Sequence, residues 1–269
     1  MRRIFLVCLL ALLPLSARAA FDHSHAAWST LLRKHVVLVN GAKASQADYG
    51  GFARDRAALK AYLDSLSAVT EVEFDSWTKP RQLAFLINAY NAFTVELILT
   101  KYPDLKSIRD LGNPVFNSPW KQKFFSLLGD QRHLDWIEHE VIRRPGVYDD
   151  PRIHFAVNCA SVGCPMLREE AFVAERLDAQ LEEQTRRFLA DRTRNRYNPA
   201  TGKLEVSEIF KWYGKDFESG YLGITSLRQF LGKYADLLAD APADRARITE
   251  GRAPIDYTEY AWALNDARG

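Results

Sequence analysis

The segment around Cys159 and Cys164 contains the residue types best suited to covalent chemistry. It runs His154-Phe-Ala-Val-Asn158-Cys159-Ala-Ser-Val-Gly-Cys164-Pro165. If residues 153–158 form a strand, His154 and Asn158 lie on the same face, because side chains alternate along a strand. A cysteine acts as a nucleophile only as the thiolate, so it needs a nearby base and a third group that orients the base. A Cys159–Cys164 disulfide and two inert buried thiols are the alternatives, and all three remain open.

A second candidate group lies on a helix predicted over residues 135–144. Glu138 falls at the edge of the apolar stripe of this helix, where a buried carboxylate must be paired or hydrogen-bonded. His139 comes within reach of Asp135, four residues earlier on the same helix. A histidine held by a carboxylate could serve as a general base. The alternative is a solvated His139 beside a Glu138 that forms a structural ion pair.

Two asparagines form the third candidate group. Pro80 opens a helix predicted to run to Tyr102, and the apolar residues on nearly all of its sides predict a position in the middle of the fold. Asn88 and Asn91 are three residues apart on this helix and share a face. Their amides could hydrogen-bond to backbone groups in the core, or they could line a pocket beside Cys159.

Metal and cofactor motifs are missing from the sequence of residues 20–269. The histidines form no His-x-x-x-His pair and the cysteines no Cys-x-x-Cys pair, so a structural zinc site is not expected. The sequence has no glycine-rich phosphate loop and no G-x-S-x-G elbow. We therefore predict that the protein uses neither a metal ion nor a cofactor.

Residues 1–19 have the order of a cleavable export signal. Arg2 and Arg3 precede an apolar run over residues 4–15, and the small-x-small sequence Ala17-Arg18-Ala19 follows. The run is shorter than the roughly 20 apolar residues of a membrane span. Cleavage removes three arginines and changes the formal net charge from +2 to −1, which gives no electrostatic argument for binding nucleic acid. We therefore expect a periplasmic or secreted protein with no nucleic-acid partner and no membrane span in the mature chain.

Residues 20–269 are predicted to form a single helix-rich domain. With 47% hydrophobic residues in the whole chain, the sequence can fill a large core. Helices outnumber strands and most strands come as hairpins, which favours an α+β fold with a central buried helix packed on a small antiparallel sheet. Hydrophobic periodicity predicts helices over residues 23–38, 52–66, 80–102, 135–144, 169–189, 209–217 and 226–234, hairpins over 124–134 and 195–206, and a late strand over 254–262.

These segments resemble the family catalogued as domain of unknown function 547. The stretches that carry the resemblance are residues 85–91, 137–143, 152–165, 207–217 and 257–265, so the likeness runs in order from about residue 80 to the C-terminus. Val162-Gly163 departs from the polar residues expected before Cys164. The resemblance implies that bacterial relatives are often exported, but it implies no reaction.

A weaker analogy is with papain-like and transglutaminase-like thiol enzymes. In these enzymes a central helix packs against a small antiparallel sheet, and a cysteine and a histidine meet between them. In this chain the central helix carries Asn88 in place of a cysteine, and His139 precedes Cys159. Such a likeness of layout would not by itself establish a function.

Two functions are consistent with these features. The first is a non-catalytic cell-envelope module that binds a peptide, a glycan or a partner protein. Its binding surface would be aromatic, supplied by Trp120, Trp212, Tyr213, Tyr257 and Trp262. This function requires the aromatic residues to surround an open groove without a base near the cysteine.

The alternative is a thiol-dependent hydrolase or acyl transferase. Cys159 would be the nucleophile, His139 its base, and Glu138 or Asp135 the group that orients the base. The pocket would be lined by Asn88, Asn91, His154 and Asn158. This function requires His139 to lie within a few ångströms of Cys159.

Overall fold

The secondary structure is mostly helical, with short strands, in a computed structural model that describes residues 20–113 and 117–268. The predicted export signal lies outside the described residues. The α-helices are α1 (Ala26–His35), α2 (Tyr49–Arg54), α3 (Arg56–Ser67), α4 (Glu71–Asp75), α5 (Lys79–Leu99), α6 (Leu177–Leu189), α7 (Ile209–Trp212), α8 (Leu227–Lys233), α9 (Ala235–Leu238) and α10 (Pro242–Thr249). The strands are β1 (Val36–Val39), β2 (Ala44–Ala47), β3 (Phe125–Leu127), β4 (Asp130–Arg132), β5 (Arg196–Asn198), β6 (Lys203–Ser207) and β7 (Ile255–Thr258). The predicted α+β class is confirmed.

The central helix α5 is buried along almost its whole length. Pro80 stands in its first turn, where the missing backbone N–H costs nothing. The helix packs against α2 and α3, and Phe93 stacks on Phe125 of β3 at 3.9 Å between ring centres. Within the described residues α5 alone has the length and apolar composition of a membrane span, yet 94% of its most apolar window is buried inside the protein. Its composition is therefore explained by its place in the core.

The strands form three small sheets. β1 pairs with β2 and β3 with β4, each antiparallel, and the β3–β4 turn uses Leu128 and Gly129 at positive φ. β5 pairs antiparallel with β6, as the sequence predicts for residues 195–206. β7 then joins β6 in parallel, with Leu204 opposite Ile255. The late strand therefore extends a hairpin from a distant part of the chain.

The apolar core consists of two clusters, and the Cys159 segment lies where they meet. The first cluster surrounds α5, and the second is built around α6, α8 and the three-stranded sheet. Ala156 and Val157 belong to the first cluster, whereas Phe155 and Cys164 belong to the second. Residues 155–164 thus connect the two apolar clusters, a position in which a cleft can form.

The predicted strand over residues 153–158 is wrong. Pro151–Phe155 form a 3₁₀ helix, because the Asp150 side chain accepts a hydrogen bond from the N–H of Arg152 and Pro151 suits the first helical turn. After this helix, the Asn91 amide bonds the C=O of Ala156 and the N–H of Asn158, which a neighbouring strand would otherwise bond. The apolar alternation reflected burial on both sides of this segment.

The predicted helix over residues 135–144 is a π-helix, Trp136–Ile142, in which the N–H of Arg143 donates to the C=O of Glu138 at 2.9 Å. Such helices are rare and are often found at functional sites.

Other predicted helices have different bounds. The first ends at His35, since the β-branched run after it favours strand β1. The helix predicted over 52–66 is divided at Asp55 into α2 and α3, and that over 169–189 is reduced to α6 after a short 3₁₀ turn, Ala174–Arg176.

Candidate functional site

Cys159 lines a cleft of about 270 Å³ at the junction of the two apolar clusters. The cleft combines aromatic rings with titratable groups, and both of the predicted histidines reach it. Its lining consists of Tyr90, Trp120, Asp135, Glu138, His139, His154, Val157, Cys159, Cys164, Pro165, Ile209, Trp212, Tyr213, Tyr260 and Trp262. The structure therefore gathers most of the residues that the sequence singled out.

The thiol of Cys159 is surrounded by hydroxyl groups and a second thiol. Its Sγ lies 3.1 Å from Tyr260 Oη and 3.2 Å from Ser161 Oγ, and these two hydroxyls are 2.8 Å apart. The N–H of Cys159 donates to Cys164 Sγ at 3.0 Å. Hydrogen bonding from Cys164, and then from Ser161 and Tyr260, lowers the pKa of Cys159, although burial and the Glu138 carboxylate oppose the shift.

Cys159 and Cys164 are both thiols in this structure, and no disulfide joins them. Burial raises the pKa of Cys164 well above its ordinary value, so Cys164 stays protonated and can donate to a Cys159 thiolate. Because the two side chains are neighbours, the predicted Cys159–Cys164 disulfide in an oxidising compartment stays a prediction.

Asn158 shapes the loop that presents Cys159 and does not line the cleft. Its amide accepts from the N–H of Ala160 at 2.9 Å and donates to the C=O of Pro165 at 2.7 Å. Ala160 adopts a left-handed conformation, with φ of 61°. The small residues after Cys159 therefore allow a tight loop that the Asn158 side chain closes.

Asn88 and Asn91 also bond backbone in the core and lie outside the cleft lining. Asn88 both donates to the C=O and accepts from the N–H of Phe172, at 2.7 and 3.0 Å. Asn91 donates to the C=O of Ala156 at 2.9 Å and accepts from the N–H of Asn158 at 2.8 Å. Of the two roles that the sequence leaves open, the geometry agrees with the structural one.

His139 lines the cleft but bonds away from Cys159. Its Nδ1 lies 2.8 Å from the Arg143 guanidinium, and its Nε2 lies 3.7 Å from Asp135 Oδ1, longer than a hydrogen bond. Within the described residues no hydrogen bond joins His139 to Cys159. The required pairing of the predicted base with the predicted nucleophile is therefore not formed in this structure.

A different histidine has the arrangement expected of an oriented base. His154 Nε2 lies 2.7 Å from Asp216 Oδ2, and Asp216 also accepts from Arg143 Nε at 2.6 Å. Although partial burial opposes it, hydrogen bonding from His154 and Arg143 keeps the pKa of Asp216 below its ordinary value. Burial lowers the pKa of His154, whose Nδ1 has no hydrogen-bond partner in the described part of the chain.

Glu138 is buried beside Tyr213. Its side chain is among the least exposed of the charged residues, and among described residues it forms no ion pair, contrary to the predicted alternative. Burial, and then the neighbouring Glu138 carboxylate, raise the pKa of Tyr213, whose hydroxyl bonds to that carboxylate. Tyr213 also stacks on His154 at 4.0 Å between ring centres. The ring therefore links Glu138 to the histidine.

One wall of the cleft is aromatic. Trp262 lies 4.6 Å from Tyr260, 5.8 Å from Trp212 and 6.0 Å from Trp120, measured between ring centres. Tyr257, which the sequence grouped with these residues, lies outside the cleft lining on β7, near Lys211. The predicted aromatic surface is thus assembled without Tyr257.

A family model described as "Protein of unknown function, DUF547" matches residues 74–189. The chain carries a DUF547 domain. The domain contains Glu138, His139, His154 and both cysteines of the cleft. The sequence resemblance predicted from about residue 80 is confirmed as far as residue 189, and the later stretches lie beyond the match. No curated protein and no solved structure matches the chain.

The cleft is completed from outside the DUF547 domain. The C-terminal segment, residues 260–265, crosses the Cys159 loop, where the N–H of Val162 donates to the C=O of Ala263 and that of Gly163 to the C=O of Ala261, both at 2.8 Å. This segment supplies Tyr260 and Trp262. Sequence reasoning missed Tyr260 and Asp216 as site residues, although both lie in stretches that carry the family resemblance, residues 257–265 and 207–217.

Proposed function

We propose that this protein is a ligand-binding module of the cell envelope and that the aromatic-walled cleft binds part of a peptide or glycan. One observation carries the proposal. Trp120, Trp212 and Trp262 surround the cleft, while the Cys159 thiol contacts hydroxyls and a thiol in place of a base. Aromatic rings combine large apolar faces with polar edges, which suits them to recognition of amphipathic groups.

The size of the cleft agrees with this function. About 270 Å³ is close to the lower end of small-molecule sites, which span roughly 300–1,000 Å³. A space of this size accommodates one side chain or one sugar ring and leaves the rest of a larger ligand outside. Trp212, at 44% exposure, lies where such a ligand would leave the cleft.

Binding is tested by titrating the mature protein, residues 20–269, with peptide and glycan libraries and following tryptophan fluorescence. The affinity for any ligand found should fall in Trp212→Ala, because the substitution removes the aromatic face on which the ligand stacks. Tyr257→Ala is the matched control, since Tyr257 is a partly exposed aromatic residue outside the cleft. The proposal fails if no library member binds, or if both variants weaken binding equally.

The envelope location rests on the order of residues 1–19. Export and cleavage predict a mature protein whose first residue is Ala20. The mass of the protein recovered from the periplasm or medium tests this part. An uncleaved protein in the cytoplasm would contradict the location and leave the binding cleft to be judged separately.

A thiol-dependent acyl-transfer enzyme is the second candidate, and one observation favours it. His154, oriented by Asp216, lines the same cleft as a Cys159 thiol whose pKa is lowered. On incubation with p-nitrophenyl acetate, an activated Cys159 thiolate would take the acetyl group and release p-nitrophenolate. Mass spectrometry should then find the S-acetyl adduct, with its rate reduced in His154→Asn. If His154→Asn and the wild-type protein are acetylated at equal rates, His154 does not act as the base for Cys159.

A further inference from the structure

Apart from His139 and His154, the charged residues that line the cleft are acidic. Two carboxylates, Asp135 and Glu138, face it, and among the residues that the structure describes no lysine or arginine lines it. Glu138 is 5% exposed and has no cationic nitrogen of a described residue within 4.0 Å. Burying a carboxylate without a counter-charge is costly, so a ligand that supplies the positive charge would relieve that cost.

His154 adds an acceptor to this set. Because the low pKa of Asp216 keeps it ionised, its oxygens accept, and the N–H of His154 must lie on Nε2. The buried Nδ1 then carries a lone pair, and no described residue donates to it. An unmet acceptor on a residue that lines the same cleft as two carboxylates favours a ligand rich in N–H donors.

The aromatic wall is suited to the same charge. Aromatic faces attract cations, and two rings of the cleft already do so: the Arg109 guanidinium lies 5.2 Å from the centre of Trp262, and that of Arg143 lies 4.7 Å from Tyr213. Neither arginine lines the cleft itself. Trp120 and Trp212 add further rings to the lining.

On the basis of the binding function proposed above, we infer that the group bound in the cleft is a primary ammonium. Its three N–H donors match the acceptors on Glu138, Asp135 and His154, and its charge suits the tryptophan rings. A quaternary ammonium would lack these donors, and an anionic group would be repelled by both carboxylates. Both a lysine side chain and an amino sugar carry such a group.

Calorimetry on the wild-type mature protein with matched ligand pairs tests the inference. The peptide pair is Nα-acetyl-lysine-N-methylamide and its norleucine counterpart, and the sugar pair is glucosamine and N-acetylglucosamine. We expect the amine of at least one pair to bind about tenfold more tightly than its neutral partner, because the neutral partner leaves the buried Glu138 carboxylate without a counter-charge. The pair that shows this preference identifies the source of the ammonium.

A variant locates the counter-charge. Glu138→Gln should reduce the preference for the amine to about twofold or less, whereas Glu140→Gln should keep it. Glu140 is the matched control, because it lies on the same π-helix and is exposed. If Glu138→Gln does not fold, the wild-type comparison still decides the question.

Two results would overturn the inference. If amine and neutral partners bind equally, while peptides or glycans still bind through Trp212, the inference of an ammonium ligand is wrong and the proposed binding function stands. An amine preference that survives unchanged in Glu138→Gln would place the cation elsewhere. If no peptide, glycan or amine binds at all, the proposed function itself fails.

Discussion

Replacement of Asn91 by leucine should destabilise the protein and also change the chemistry of Cys159, although no hydrogen bond joins these two residues in the described part of the chain. Asn91 bonds the C=O of Ala156 and the N–H of Asn158, and it is 2% exposed. Leucine fills the space without either hydrogen bond. The loop that presents Cys159 then loses its attachment to α5.

The stability cost can be worked from the two lost hydrogen bonds. Each buried backbone group left without a partner costs roughly 1–3 kcal/mol. The greater apolar burial of leucine returns about 1–2 kcal/mol. Two such groups cost roughly 2–6 kcal/mol, so we expect Asn91→Leu to lower the free energy of unfolding by about 2–3 kcal/mol, the centre of the resulting range, measured by urea denaturation. Asn88→Leu should cost about as much, because Asn88 also satisfies two backbone groups, both on Phe172.

The two variants should differ at the thiol. In Asn91→Leu the loop relaxes, the bonds from Cys164, Ser161 and Tyr260 weaken, and the pKa of Cys159 rises toward the ordinary value of about 8.5. The pH midpoint of iodoacetamide labelling, followed by mass spectrometry, reports this rise. Asn88→Leu should leave the midpoint unchanged. The reasoning is refuted if both variants shift the midpoint equally, or if Asn91→Leu loses stability with no shift.

Three further predictions concern the surroundings of the cleft. Tyr260→Phe removes a hydroxyl that bonds Cys159, so the labelling midpoint should rise, while Tyr257→Phe should not change it. Gly163→Ala should have a similar effect on the midpoint, because its added Cβ would lie 3.0 Å from the Tyr260 ring and 2.9 Å from a backbone nitrogen. Asp216→Asn should lower the free energy of unfolding by about 2–3 kcal/mol above roughly pH 4. That difference should shrink as the pH falls further and the wild-type carboxylate is protonated, since its folded pKa is the lower one. Urea denaturation at several pH values checks the last prediction, and a constant difference would contradict it.

Much of the fold could be predicted because its signals are local. The apolar run of α5 behind Pro80 and the turn at Gly129 are read from a few neighbouring residues. The strand predicted over residues 153–158 is wrong for a local reason too. The prediction gave more weight to the apolar alternation than to Asp150 and Pro151, which begin a 3₁₀ helix. The correct conformation also depends on Asn91, 67 residues before its partner Asn158.

The site was predicted in part for the same reason. Glu138 and His139 were found because they are adjacent on one helix, and Cys159 because its loop is distinctive. Asp216 bonds His154 across 62 residues, and Tyr260 bonds Cys159 across 101. Contacts of that range follow from how the 3₁₀ helix Gly214–Glu218 and the C-terminal segment pack, which periodicity does not describe.

Under the proposed binding function, the C-terminal segment makes ligand occupancy and thiol acidity parts of one equilibrium. It carries both Trp262, which faces the ligand space, and Tyr260, which bonds the thiol. A ligand that stacks on Trp262 stabilises the C-terminal segment in its position across the Cys159 loop, and the segment in that position stabilises the thiolate of Cys159. Because linked equilibria are reciprocal, ionisation of the thiol should in turn increase the affinity for that ligand. The protonation state of Cys159 would in this way change the affinity of the cleft for its ligand.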